Sequence, residues 1–482
     1  MKMHTKLLGS LALSSLLLVG FSGCGNNNDS NETPVTPPVV DSDAIPFGSG
    51  KFTPYERVAV FPTVKNPDGT TNHVATYAKV AELANTFAKY LANVDETPDT
   101  ANFKQGNWIL GGKESNTTVN NFNDADVAHH MLAIPTKQKI DPTKVYDPAN
   151  TKKVKVVELC NKQYAAMALG VTKVGGENGT KVANGSYHAT ALPCEVSIYN
   201  DDNGIYVDML NPETIFTLFF TELFKSPEME NIDFKNAMLA MPTQVKNEIY
   251  VLIHNAFKGE TYEKTNIQMG PLYTKMSEIF AATDTSKKGK EPYRHYNFKA
   301  TDSTKEFTAA DAKNIAQTIV AVMTNEHQAD KASIGTQEAA LFNKLPSRLA
   351  ADPKNPLWRS GRLEPLSLPG GSFVVEACSP TYAKEALSTG PYHTTALPCE
   401  IAVTVNPKDK NSIDISILNP EFMFGALFAD AMEKMSEAEI VGFKQIIDNI
   451  NDDLKTIVDY TMDNNVSIID GASGKKITPI FY

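Results

Sequence analysis

Two matched sets of side chains carry groups capable of chemistry. The first is His188, Cys194 and Glu195, with Cys160 upstream; the second is His393, Cys399 and Glu400, with Cys378 upstream. In each set a histidine precedes a cysteine by six residues and a glutamate follows directly. Two thiolates and an imidazole make a soft ligand set suited to copper(I) or zinc, with one position left for a substrate. The same cysteine pairs, Cys160 with Cys194 and Cys378 with Cys399, also suit a structural disulfide. Closing a loop of that length contributes roughly 3–4 kcal/mol in the chain-entropy account. A third reading is a reactive dithiol, and a fourth is buried, unreactive thiols. No Cys-x-x-Cys pair is present, so spacing alone leaves disulfide, metal site and free thiol all open.

The histidines have a plainer reading as well. His188 and His393 each follow a tyrosine just before an apolar run, and a loop histidine bonded to backbone fits that place. His129 and His130 are adjacent, so on a helix they point about 100° apart and do not share one ion. No Gly-x-Ser-x-Gly elbow, phosphate-binding loop, dinucleotide fingerprint, zincin motif or haem-attachment motif occurs. Asp201-Asp202-Asn203-Gly204 lacks the distant glutamate of a calcium loop and reads as a hairpin turn.

The elements that must position these groups come in two copies. Val156-Val157-Glu158-Leu159-Cys160 matches Val374-Val375-Glu376-Ala377-Cys378. Tyr187 to Glu195 matches Tyr392 to Glu400, and Leu210-Asn211-Pro212-Glu213 matches Leu418-Asn419-Pro420-Glu421. The first copy carries an extra Gly-rich stretch from Val174 to Gly185, read as a longer loop. Each copy reads as an amphipathic helix, a strand running into a short helix, a β-hairpin and further helices. The strands are marked by alternation and β-branched content. Asn211 and Asn419 stand where a cap is needed, with proline at the first helical position and glutamate at the positive end of the dipole. The expected fold class is α+β, as two tandem repeats, each a small antiparallel sheet packed with helices. The first repeat is placed at 51–260, a connector at 261–299 and the second repeat at 300–482.

The stretch from Val374 to Phe428 resembles a bacterial family known as domain of unknown function 302. The resemblance rests on Val-Val-Glu-Ala-Cys378-Ser-Pro380, on Ala383 and Ala386-Leu387, on Leu397-Pro398-Cys399-Glu400 and on the Asn419-Pro420 helix start. The first copy has the same signs, with Lys162 where the second has Pro380. The resemblance covers the core of each repeat, about a third of the chain beyond the leader. It implies a small α+β domain, often dimeric, with no established reaction. Two copies in one chain could make that pairing internally, as a pseudo-two-fold pair.

The N-terminus indicates the compartment. Lys2 and Lys6 precede an apolar run from Leu7 to Phe21, too short to span a bilayer but right for a signal-peptide core. Phe21-Ser22-Gly23-Cys24 looks like a lipobox, so residues 1–23 are expected to be removed and Cys24 lipidated. Residues 24–50, rich in Asn, Thr and Pro, are read as a disordered tether. Gly25 after the cysteine points to the outer membrane by the enteric sorting pattern. The chain is therefore expected on the periplasmic side of the cell envelope, held to the membrane through its N-terminal lipid. A formal charge of -11 over 482 residues argues against nucleic-acid binding.

The leading functional expectation is a non-catalytic ligand-binding or sensory module with an unnamed small-molecule ligand. The rival is a metal- or thiol-dependent redox protein using the Cys/His sets; a third is a structural envelope protein. The Phe-, Leu- and Met-rich runs 216–224 and 424–432 are core, or the walls of an apolar cleft between the repeats.

Overall fold

The computed structural model describes residues 43–47, 50–92, 108–110, 131–134, 154–183, 185–192, 194–283, 291–300, 302–323, 358–360, 365–387, 389–397, 399–464 and 480–481. Residues 1–42, with Cys24 among them, and the pair His129-His130 lie outside the described residues. The structure has the expected class: helices and two separate antiparallel sheets, one per repeat.

The first sheet is built from β1 (Tyr55–Phe61), β2 (Trp108–Leu110), β3 (Met131–Ile134), β4 (Val154–Asn161), β5 (Cys194–Asn200), β6 (Ile205–Leu210) and β7 (Glu263–Met269). Its order is β2-β4-β5-β6-β1-β7, with β3 also paired to β4. The second sheet contains β8 (Tyr293–Lys299), β9 (Arg359–Ser360), β10 (Leu366–Leu368), β11 (Ser372–Cys378), β12 (Cys399–Val405), β13 (Ser412–Leu418) and β14 (Ile480–Phe481). Its order is β10-β11-β12-β13-β8-β14, with β9 on β11. The centres correspond: β4-β5-β6-β1 in one, β11-β12-β13-β8 in the other. In each, the strand that comes first in the chain returns beside the last strand of the meander.

Helices follow in chain order: α1 (His73–Ala92), α2 (Lys162–Ala168), α3 (Pro212–Phe219), α4 (Ile232–Ala256), α5 (Met276–Thr283), α6 (Ala309–Met323), α7 (Pro380–Leu387), α8 (Pro420–Leu427), α9 (Ala429–Met432) and α10 (Glu437–Asn464). The caps form as expected. Asn211 Oδ1 accepts from the Glu213 amide at 3.0 Å, and Asn419 Oδ1 accepts from Glu421 at 3.2 Å. Asp201 closes the β5–β6 hairpin by accepting from the amides of Asn203 and Gly204 at 2.7 and 3.1 Å. Gly175 takes φ +89°, and a Cβ there would stand 2.4 Å from the Asp233 backbone, so only glycine fits that loop against α4.

Both central sheets are covered on both faces. Helix α1 packs on β4 and β5, and α6 packs on β11 and β12. The other face of each sheet meets a 3₁₀ segment of the opposite repeat: Gly185–Ala191 lies on β11, β12 and β13, and Pro391–Ala396 lies on β4, β5 and β6. This is why β11 is buried at every position and why its sequence is almost continuously apolar. Burial of that kind makes each polar residue in these strands conspicuous.

Two sequence expectations are corrected by the fold. The segment 261–299, read as a connector, supplies β7, α5 and β8, and β8 is an inner strand of the second sheet. The end of the tether is also not free. Ile45 and Phe47 are buried, and the Phe47 ring packs edge-on against Phe216 and Phe224 at 5.8 and 4.7 Å. Two apolar side chains in a polar run have a core to enter, and burying them outweighs the ordering of a few residues.

Candidate functional site

The cysteines and histidines do not assemble as the sequence suggested. Cys160, Cys194, Cys378 and Cys399 are not in disulfides, and no bond joins either pair. The ladders explain this. Leu159 stands opposite Cys194, and Ala377 opposite Cys399, so each cysteine pair is offset by one residue. Successive side chains on a strand point to opposite faces, so the offset takes the thiols out of direct opposition.

His188 is fully buried, but its ring stacks on Phe220 at 4.0 Å and its Nδ1 lies 3.0 Å from the Tyr293 hydroxyl. His393 sits in the same setting, 4.1 Å from the Phe428 ring, with Nδ1 2.7 Å from the Thr389 hydroxyl. Among the described residues no thiol joins either imidazole in a set of metal-ligating atoms. The Cys/His centre for copper or zinc is therefore not formed. The 3₁₀ turn holding each histidine is fastened by its own tyrosine: Tyr187 donates to Glu222 at 2.8 Å and Tyr392 to Asp430 at 2.6 Å. Burial pushes His188 down to about 3, with nearby His295 adding to the effect, so its imidazole is neutral.

The glutamates that follow the cysteines do come together. The register pairs Glu158 with Glu195 across β4–β5, and Glu376 with Glu400 across β11–β12. All four are buried. Carboxylate oxygens of Glu158, Glu195 and Glu400 all lie within 4.8 Å of one another, which brings the two repeats' copies of one motif into one cluster. Burial, and then the Glu400 carboxylate, hold the Glu195 carboxyl well above the usual range.

Three of the thiols, Cys160, Cys194 and Cys399, feel the charge of this cluster. Burial and then Glu400 push Cys160 up to about 12, and burial with Glu400 and Glu195 does the same to Cys399. Such thiols stay protonated and are poor nucleophiles. The expected proximity of cysteine to Glu195 and Glu400 is present, in a form that suppresses thiol reactivity.

Beside the carboxyls lies a cavity of about 30 Å³. Its walls are equivalent residues from the two repeats: Thr190 and Thr395, Ala191 and Ala396, Glu195 and Glu400, Leu210 and Leu418, Ile215 and Met423, Phe219 and Leu427. The apolar runs of α3 and α8 thus supply part of a shared wall. The volume admits a water-sized guest or an ion, far less than the roughly 300 Å³ at which pockets for organic ligands begin.

Sequence reasoning passed over two groups. Glu158 and Glu376 stand in the repeated Val-Val-Glu motif; a charge inside a wholly apolar strand was the available signal. Trp108 and Trp358 mark a second equivalent pair. Trp108 Nε1 donates to Glu248 at 2.5 Å, with Tyr164 donating to the same carboxylate at 2.6 Å. Trp358 Nε1 donates to Asp453 at 2.9 Å, with Tyr382 at 3.2 Å. These clusters tie each sheet edge to its long C-terminal helix, α4 or α10.

Comparison with known proteins gives one family. The model for the Domain of unknown function DUF302 matches residues 370–456, from the turn before β11 into α10. No curated protein and no solved structure matches the chain.

Proposed function

We propose that the chain is an exported, lipid-anchored, non-catalytic binding module. In this reading two DUF302-like repeats pair about a pseudo-two-fold axis, and the ligand centre is the cavity on that axis. The observation that carries the proposal is the cavity wall itself, made of the same positions taken once from each repeat. A wall built this way exists only when both copies are present, which is a reason for two copies in one chain. The family match at 370–456 covers the second copy, and the shared motifs extend the likeness to the first.

The buried, protonated thiols weigh against the redox alternative, because a reactive dithiol needs an accessible thiolate. Export and anchoring rest on the Lys2–Phe21 leader and Cys24. No helix among the described residues is long and apolar enough to cross a membrane.

The test is native mass spectrometry of the detergent-solubilised full chain from its own envelope, beside Cys24→Ser and Ala396→Leu. The expected wild-type mass exceeds that of the acylated polypeptide by a small guest. Cys24→Ser loses the acyl mass, and Ala396→Leu, which fills the cavity, loses the guest. A wild-type chain without a guest would overturn the binding module, and one without acyl groups would overturn the anchoring.

A further inference from the structure

We infer that Glu158, Glu195 and Glu400 form a binding site for one divalent metal cation at the junction of the repeats. The inference deepens the binding-module reading and rests on it for the role of the junction cavity.

Three carboxyl groups have oxygens mutually within 4.8 Å, and they are only 3, 7 and 4% exposed. At that spacing and depth the groups cannot all remain bare anions; like charges in a poorly screened interior repel too strongly. A cation held among the three oxygens relieves that repulsion. Acidic side chains often cluster without an ion on an open surface where water screens them, but these three are buried.

A second observation points to a guest. Glu195 lines the cavity, more than nine-tenths buried, and no hydrogen bond of the described residues reaches its carboxyl. Buried polar groups are ordinarily satisfied, and leaving one without a partner is costly. The cavity at its tip has room for one small guest and no organic molecule. Cys160 agrees with this placement. It lies two residues from Glu158, on the same face of β4, is 2% exposed and forms no disulfide.

The donor chemistry narrows the class. Carboxylate oxygens suit Ca²⁺, Mn²⁺ and Zn²⁺. Mg²⁺ usually keeps several waters, for which the cavity has little space. Copper(I) prefers soft thiolate and imidazole donors, which are not brought together here. The two repeats contribute unequally: Glu158 and Glu195 come from the first, Glu400 from the second. The cation would therefore bridge the repeats and hold them together.

The experiment uses the full chain in detergent, stripped with chelator and dialysed. Thermal midpoints are recorded with Ca²⁺, Mn²⁺, Zn²⁺ or Mg²⁺ added singly, and bound metal is counted by equilibrium dialysis and elemental analysis. The expected result is one ion per chain for at least one of the first three cations, with a raised midpoint. Affinity should fall at least tenfold as pH drops from about 7.5 to about 5.5, because protons compete for the same oxygens. Glu195→Gln and Glu400→Gln keep shape while removing charge. Both should lose the bound ion and the midpoint shift, while the metal-free midpoint at neutral pH stays equal or rises. Failure of all four cations to bind, or binding unaltered in both glutamine variants, overturns the site. If Glu195→Gln still carries the guest removed by Ala396→Leu, the binding module stands and the cation falls. If no guest occupies the wild-type cavity in either experiment, both fall.

Discussion

Tyr55 and Tyr293, the first residues of β1 and β8, make the same hydrogen bond into opposite repeats. Tyr55 donates to the Leu427 carbonyl at 3.0 Å, and Tyr293 donates to the Phe219 carbonyl at 3.0 Å. Each hydroxyl closes the open end of a helix in the other repeat, α8 or α3, where the last carbonyls have no intrahelical donor. Each ring also meets the opposite histidine edge-on, Tyr55 with His393 at 5.3 Å and Tyr293 with His188 at 5.7 Å.

Removing either hydroxyl strands a buried carbonyl. Tyr55→Phe and Tyr293→Phe should each lower stability by about 1–2 kcal/mol, seen as a lower urea midpoint with unchanged slope. Equal losses are expected because the partners are equivalent. If both variants unfold at the wild-type midpoint, these bonds do not hold the repeats together.

Two buried groups give stability opposite slopes with pH. His188 has its folded pKa lowered to about 3 from 6.5, so the unfolded chain binds its proton first. Stability from this group is present above 6.5 and is lost as pH falls toward 3. Glu195 has its folded pKa raised above 4.5, so the folded chain binds its proton first. Its contribution is full below 4.5 and is lost as pH rises through the folded pKa. The expected curve for metal-free protein has its maximum between those limbs. His188→Gln should flatten the acid limb, by on the order of a few kcal/mol, and Glu195→Gln should flatten the alkaline one. Chemical denaturation at a series of pH values reads this; a wild-type-shaped curve from Glu195→Gln would remove the carboxyl cluster as its cause.

How much of this was legible depended on the range of the interaction. The hairpin at Asp201–Gly204 and the caps at Asn211 and Asn419 follow from local chemistry, and the structure has them. The repeat was legible because both copies kept Val-Val-Glu and Leu-Pro-Cys-Glu nearly unchanged. Strands β1 and β8 were missed because their partners, β6 and β13, lie well over a hundred residues away, and no nearby turn signals the pairing. The site was half legible. Glu195 and Glu400 were named, but the histidines drew attention away from Glu158 and Glu376. Which face of a strand meets which repeat is a property of packing, and a one-residue offset in the ladder decided that the cysteines would not pair.

The tryptophan clusters give a test of the outer sheet edges. Asp453 is fully buried and accepts from Trp358 and Tyr382. Trp358→Phe keeps most of the apolar contact but removes the Nε1–H donor. Leaving a buried carboxyl short of a donor costs about 1–3 kcal/mol, and that loss is expected in the denaturation midpoint. Trp358→Phe with Asp453→Leu should recover part of it, because the carboxyl no longer needs a donor. A double variant as weak as the sum of the singles would show that the two side chains act separately.

The thiols provide the most direct check on how the junction is built. In an oxidising compartment two cysteines in contact would be expected to bridge. Here the ladder offset keeps each pair from direct opposition, and burial together with Glu400 raises Cys160 and Cys399 to about 12. At pH 8 a thiol of that kind is thiolate about a thousandfold less often than a free cysteine. Iodoacetamide should therefore leave Cys160, Cys378 and Cys399 unmodified in the folded chain, while Cys194, which is less buried, reacts slowly. In denaturant without reductant all four should be alkylated. Two protected pairs under those conditions would mean that disulfides form, that the strand ends shift to bring the sulfurs together, and that Cys160 is not the free thiol beside Glu158. The same experiment on Glu400→Gln should raise the native reactivity of Cys160, since one of the two influences suppressing its thiolate is gone, with the fold checked by circular dichroism. Unchanged protection there would assign the suppression to burial alone.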